Sequence, residues 1–148
     1  MEVMKIEKNA ISYSDFLWEQ NANGDFYCIY QKQTGLSDAE FWCIFYVYNG
    51  ECNYQHELSN YLFMNKQTVN AALKQLVKKG LVQLAIPPEN QRVRKIVLTE
   101  QGQVFSHKYL DYLAELEQKA WNTLSSEEQA VMLSGMKKIN EALLNAIE

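Results

Sequence analysis

The side chains of this sequence that could do chemistry fall into three sets. The first is nucleophilic or metal-binding: two histidines, His56 and His107, and three cysteines, Cys28, Cys43 and Cys52. Neither histidine lies in a motif that pairs a nucleophile with a base, so the chain reads as a protein without catalytic residues and not as an enzyme. Cys52 and His56 are four apart, as are His107 and Asp111. Two ligands of this kind fall short of the usual sets, and neither a metal nor another cofactor is assigned. The odd number of cysteines and the lack of CxxC spacing fit reduced thiols better than a disulfide framework.

The second set is aromatic and centres on a thiol. Cys28 stands between Tyr27 and Tyr30, whose hydroxyls could stabilise a thiolate or its oxidation product. No basic residue beside it would lower its pKa, so a small buried hydrophobe is the competing reading. Trp18, Phe26, Tyr30, Trp42 and Tyr46 could line a cleft with stacking faces for a planar aromatic effector, or be plain core. Cys43 reads as core.

The third set is cationic. Between Lys66 and Lys95 stand seven basic residues (Lys66, Lys74, Lys78, Lys79, Arg92, Arg94 and Lys95) and one acidic residue, Glu89, a local charge of +6. The whole chain carries −4, so the remainder carries −10. A segment this positive inside so acidic a chain suits selective contact with a polyanion, against the alternative of a solvated lysine face.

Short elements must position those cations. Asn53 and Asn65 are placed to cap two helices, since a side-chain oxygen can accept from an unpaired first-turn amide. After Asn65, the residues Val69, Ala72, Leu73, Leu76 and Val77 recur at helical spacing, and the polar residues fall on the other face. Gly80 suits a left-handed helix end, with Lys78 and Lys79 at the negative end of the dipole. Past it, Leu81, Val82, Leu84 and Ile86 lead to Pro87-Pro88 and Glu89-Asn90, and Val93, Ile96, Val97 and Leu98 return as a second strand. Two short helices followed by a hairpin make a winged helix-turn-helix, with Arg92, Arg94 and Lys95 at or beside its tip.

The flanks are helical. From Ile11 to about Thr34 one long helix is expected, kinked or broken at the Asn21–Asp25 cluster NANGD. Ser37-Asp38-Ala39-Glu40 is a capping box that starts a core helix through Phe41, Trp42, Ile44, Phe45, Tyr46 and Tyr48, stopped at Asn49-Gly50. Thr99 can cap a helix to about Asn122 whose stripe is Phe105, Tyr109, Tyr112, Leu113, Leu116 and Ala120. Ser125-Ser126-Glu127-Glu128 opens a last helix with Met132, Met136, Ile139, Leu143 and Ile147 on one face. Together with the N-terminal helix, these have more apolar face than the winged lobe can cover, and pairing with a second copy is expected.

At 148 residues and 47% hydrophobic the chain is globular, of a length for one domain with a real core. No apolar run approaches the roughly 20 residues that span a bilayer. The N-terminus, MEVMKIEKNAIS, lacks an apolar core of signal-peptide type, so the expected place is the cytoplasm, with no membrane partner.

Over nearly its whole length the chain resembles the MarR family of bacterial transcription regulators. The residues that carry the resemblance are GLSDAEF at Gly35 to Phe41, HELSNYL at His56 to Leu62, QTVNAALKQLVKKGLV at Gln67 to Val82, NQRVRKIVLTEQG at Asn90 to Gly102, and LSSEEQ at Leu124 to Gln129. The resemblance implies a mainly α fold with a small β-hairpin wing: a single MarR-like domain over 1–148, with a winged helix-turn-helix lobe at 36–99 and dimerisation helices at 1–35 and 100–148. It also implies a homodimer that binds double-stranded DNA at a pseudo-palindromic operator, a sequence-specific regulator expected to repress until a small, here aromatic, effector releases it.

Carried over by position, the recognition helix is Lys66 to Lys79, with Lys66, Gln67, Thr68, Asn70 and Lys74 toward DNA. Gln67 and Asn70 could read adenine bidentately, and Lys74 would meet phosphate. Arg92 matches the wing arginine that enters a minor groove, with Arg94 and Lys95 on the backbone. Asn90 stands where the family commonly has an acidic residue that orients the arginine; an amide can still bond the Arg92 guanidinium but lacks the charge-assisted strength. Leu84 stands where an arginine is frequent. Those departures keep open a winged-helix protein-interaction module with weak or no DNA binding. Because some relatives respond to peroxides, Cys28 keeps open a thiol-based redox sensor.

Overall fold

The computed structural model describes residues 11–147; residues 1–10 of the N-terminal segment expected to dimerise, and Glu148 of the C-terminal one, lie outside that range. Helix α1 spans Tyr13–Thr34, α2 Asp38–Tyr48, α3 Gln55–Tyr61 and α4 Lys66–Lys78; strands β1 (Val82–Ala85) and β2 (Lys95–Leu98) follow. Then come α5 (Glu100–Ser106), one turn of π-helix (His107–Asp111), α6 (Tyr112–Trp121) and α7 (Ser126–Asn145). The chain divides into two compact units, Met1–Gly102 and Gln103–Glu148. The fold is mainly α with a two-stranded antiparallel wing, as the sequence indicates.

In the first unit the caps act as their residue types dictate. Ser37 Oγ accepts from the Glu40 amide at 3.3 Å, and the Glu40 carboxylate accepts from the Ser37 amide at 3.3 Å. Helix α2 carries the core: Phe41, Cys43, Ile44 and Val47 are buried and pack with Val69, Ala72, Leu73 and Leu76 of α4. Val77, expected on that stripe, is 42% exposed: at about 100° per residue it falls at the edge of the face that Val69, Ala72, Leu73 and Leu76 bury. Gly80 ends the helix with φ +74°. Its amide donates to Val77 O at 2.9 Å and that of Leu81 to Leu76 O at 3.0 Å, the paired bonds of a Schellman motif.

Three expectations need correction. NANGD does not interrupt α1, which runs continuously from the Ser12 capping box to Gly35 in the left-handed region. A Cβ at Gly24 would meet nothing, so these exposed residues cost helix propensity alone, about 1 kcal/mol for the glycine. Asn53 does not cap α3. The cap position is Tyr54, and the Glu57 carboxylate instead reaches back to accept from the amides of Asn53 (2.8 Å) and Tyr54 (3.0 Å). Finally, the helix after Thr99 is not uniformly α. In the second unit His107–Asp111 is a π turn, and the buried face runs through Ser106, Leu110 and Leu113, while Tyr112 and Ala120, expected on it, stay exposed. The Ser106 hydroxyl is buried there without a hydrogen-bond partner among the described residues.

The hairpin pairs Val82 with Leu98, Gln83 with Val97, Leu84 with Ile96 and Ala85 with Lys95. Val82 and Ile96 are buried, so one face of the ribbon joins the core and Gln83, Ala85, Lys95 and Val97 face out. Thr99 closes the base of the wing. Its hydroxyl donates to Gly80 O at 2.5 Å and accepts from the Gly102 amide at 2.9 Å. A Cβ at Gly102 would lie 1.9 Å from Leu81 O, so that backbone approach admits glycine alone.

Candidate nucleic-acid interface

Helix α4 presents its polar face because its apolar one is taken. Lys66, Gln67, Thr68, Asn70 and Lys74 are all exposed, while Val69, Ala72, Leu73 and Leu76 are at most 4% exposed. Asn65 fixes the start of the helix: its Oδ1 accepts from the Thr68 amide (2.8 Å) and from the Thr68 hydroxyl (2.9 Å). Thr68 thus has its proton committed and keeps acceptor capacity. Thr68 and Lys74 also border an open cleft with Ser37 and Glu40 of α2.

One cation of the basic cluster is not available to a ligand. Lys79 Nζ is 2.5 Å from the buried carboxylate of Glu40 and 3.5 Å from Gly35 O. It ties the end of α4 to the start of α2, which leaves the cluster one charge weaker than its sequence suggests.

The wing tip is shaped by its own turns. Asn90 Oδ1 accepts from the Arg92 backbone amide at 3.0 Å, an Asx turn, rather than from the guanidinium as its position suggested. The amide reaches two residues along its own chain before it can reach a long side chain. Arg92 is exposed, and among the described residues its guanidinium has no partner. Arg94 is different: Nη1 donates to Gln91 O and Val93 O, both at 3.1 Å, so this side chain braces the tip. Lys95 is exposed at the first position of β2.

The wing and the helix-turn-helix are stitched together by residues 53–55. Ile96 donates to Asn53 O and Gln55 to Arg94 O, each at 2.9 Å, around a bridge between Tyr54 and Lys95. The Gln55 side chain then reaches α4, its Nε2 donating to Asn70 Oδ1. Gln55 thus joins the candidate interface residues, and spacing could not find it, because a contact between residues 15 apart in sequence leaves no trace in local pattern.

The aromatic set is brought together only in part. Phe26 stacks on Tyr30 at 6.0 Å, Tyr27 meets Trp42 at 5.7 Å and Trp42 meets Tyr46 at 6.2 Å. Trp18 stands 75% exposed on α1. Cys28 is exposed, so it is not the small buried hydrophobe that competed with the redox reading. Cys43 and Cys52 are the buried thiols, and burial pushes Cys43 up to about 12. His107 Nδ1 lies 2.7 Å from Asp111 Oδ2. Among the described residues no three metal-ligating side chains cluster, and no helix is long and apolar enough to cross a membrane.

Comparison with known proteins agrees with this geometry. None of the curated proteins matches the sequence. The fold is similar to a MarR family regulator from Neisseria meningitidis, at 19% identity over 93% of this chain and 97% of that one, with a TM-score of 0.71. It is similar to a MarR protein from Peptoclostridium difficile, at 18% identity over 99% and 97%, with a TM-score of 0.69. The MepR–DNA complex of S. aureus is similar at 22% identity over 90% and 99%, also with a TM-score of 0.69. The family model described as MarR family matches residues 34–92, which hold α2, α3, α4, β1 and the wing tip through Arg92. Residues 34–92 are therefore a MarR family segment, carried in a chain folded like the solved MarR family proteins.

Proposed function

We propose that this protein is a cytoplasmic, homodimeric, sequence-specific DNA-binding regulator without enzymatic activity, which represses transcription from a pseudo-palindromic operator until a small effector releases it. The observation that carries the reading is the pairing of an exposed polar face on α4 with an exposed Arg92 at the wing tip. Gln67 and Asn70 face bases in the major groove, Lys66, Thr68 and Lys74 meet phosphates, Arg92 enters the minor groove, and Arg94 and Lys95 hold the backbone beside it. That a solved protein of this fold is a DNA complex supports DNA as the partner. Release follows when a planar aromatic effector seated among Phe26, Tyr30, Trp42 and Tyr46 shifts the spacing of the two recognition helices.

A titration against duplexes from the protein's own promoter at several salt concentrations tests this reading. Affinity should fall steeply as salt rises, since each neutralised phosphate releases counterions. Binding to no duplex at any salt would overturn it. Arg92→Ala should weaken the operator complex by about 1–3 kcal/mol and leave the dimer mass unchanged.

Exposure of Cys28 favours a second mode of release, in which peroxide oxidises this thiol and operator affinity drops. Cys28→Ser would then bind DNA normally and ignore peroxide; a variant that still responds would exclude this mode.

A further inference from the structure

We propose that Gln55 decides which base edge Asn70 reads, by holding the Asn70 carboxamide with its oxygen toward α3 and its NH2 group outward. The inference rests on the DNA-binding reading above. Gln55 is the first residue of α3, and it touches both elements assigned to DNA. Its backbone amide donates to Arg94 O in the wing at 2.9 Å, and its side-chain Nε2 donates to Asn70 Oδ1 on α4. The pair lies at the surface, where a ligand can meet it.

A carboxamide offers an oxygen with two lone pairs and two N–H donors; the bond from Gln55 takes one lone pair and holds the oxygen toward α3. The group turned to a ligand is then the Nδ2 pair of hydrogens. In the major groove adenine presents an acceptor, N7, beside a donor, N6, and an asparagine reads it by offering both halves of its amide; guanine presents two acceptors, N7 and O6. An Asn70 whose oxygen is held by Gln55 matches guanine and forfeits one of the two bonds to adenine. The sequence alone makes Asn70 an adenine reader, and the Gln55 bridge reverses that preference. Gln55 is thus a positioning residue: it acts on the base through Asn70. The wing bond fixes its backbone, so the amide approaches α4 from a set direction.

The experiment is selection of bound sequences from a randomised duplex library by the full-length protein and by Gln55→Ala, Gln55→Glu and Asn70→Ala. Asn70→Ala should abolish base preference at one position of each half-site, and the parent should prefer guanine there. A glutamate at position 55 only accepts, so it should bond the Asn70 NH2 group and turn Oδ1 outward. Preference should then move roughly tenfold toward adenine or cytosine, the bases that present an amino donor. Gln55→Ala should relax the preference. Gln55 variants that keep the parent's preference at the Asn70 position would overturn the proposal while leaving the DNA-binding reading intact. So would an Asn70→Ala profile identical to the parent's. A parent protein that enriches no sequence would remove both. A readout without DNA keeps the two apart: the Asn70 side-chain NH2 resonances should shift in Gln55→Ala, and unchanged resonances would show that the bridge does not form.

Discussion

Helices α4 and α7 begin in the same way, with Asn65 and Ser125 each accepting a hydrogen bond from an amide three residues on, at 2.8 Å and 3.2 Å. Both carry apolar residues at helical spacing, yet in α4 the stripe is sealed against α2, with Leu76 at 0% exposure, and in α7 no described residue is buried and Leu143 is 62% exposed. Periodicity states that a face needs covering and leaves open what covers it. For α4 the cover comes from the same chain. For α7 it has to come from elsewhere, and a second copy of the chain is what the proposed homodimer would supply.

Truncation should break this comparison most strongly. Leu76→Ala removes packing inside the first unit and should cost about 2–5 kcal/mol in chemical denaturation, at every protein concentration. Leu143→Lys should leave packing within the chain intact and shift the mass from dimer to monomer in sedimentation, with an unfolding midpoint that becomes lower and independent of concentration. Equal behaviour of the two variants would deny that the faces differ. The caps sharpen the comparison from the other side. Asn65→Ala and Ser125→Ala should each cost about 1 kcal/mol, because capping is local and indifferent to what the helix packs against.

Thiol chemistry gives the smallest effect. The Cys43 thiol, pushed up to about 12 by burial, stays protonated in the fold at a pH where the unfolded chain ionises. Its contribution to stability is full below the ordinary thiol range and is lost as pH rises from there to about 12. Alkylation near pH 8 should therefore label Cys28 in the native protein, and Cys43 and Cys52 only after denaturation, as peptide mass mapping would read.

The winged lobe was legible in the sequence because its punctuation is local. Ser37 with Glu40, Asn65, and Gly80 each act within a few residues of themselves, and spacing rules reach that far. The same rules overreached at Asn21–Asp25, where a cluster of poor helix formers is carried by good caps at both ends. At the candidate site, the exposed face of α4 followed from its buried one. What could not be read were the long-range ties: Lys79 to Glu40, 39 residues apart, and Gln55 to Asn70, 15 apart. Asn90 belongs to neither group. Its Asx turn is as local as any cap, and the resemblance drew attention to the guanidinium instead of to the nearer amide.

The π turn at His107–Asp111 bears on how this chain lines up with others. A π turn takes up one residue more than the α turn it replaces and absorbs it there, so the buried face continues across it from Ser106 and Leu110 to Leu113 while the sequence runs one residue out of step with a plain α-helix. A gapless alignment through this helix would therefore match core positions on one side of the turn with surface positions on the other. Deleting a single residue there should restore uniform α winding and leave Leu113 on the buried face.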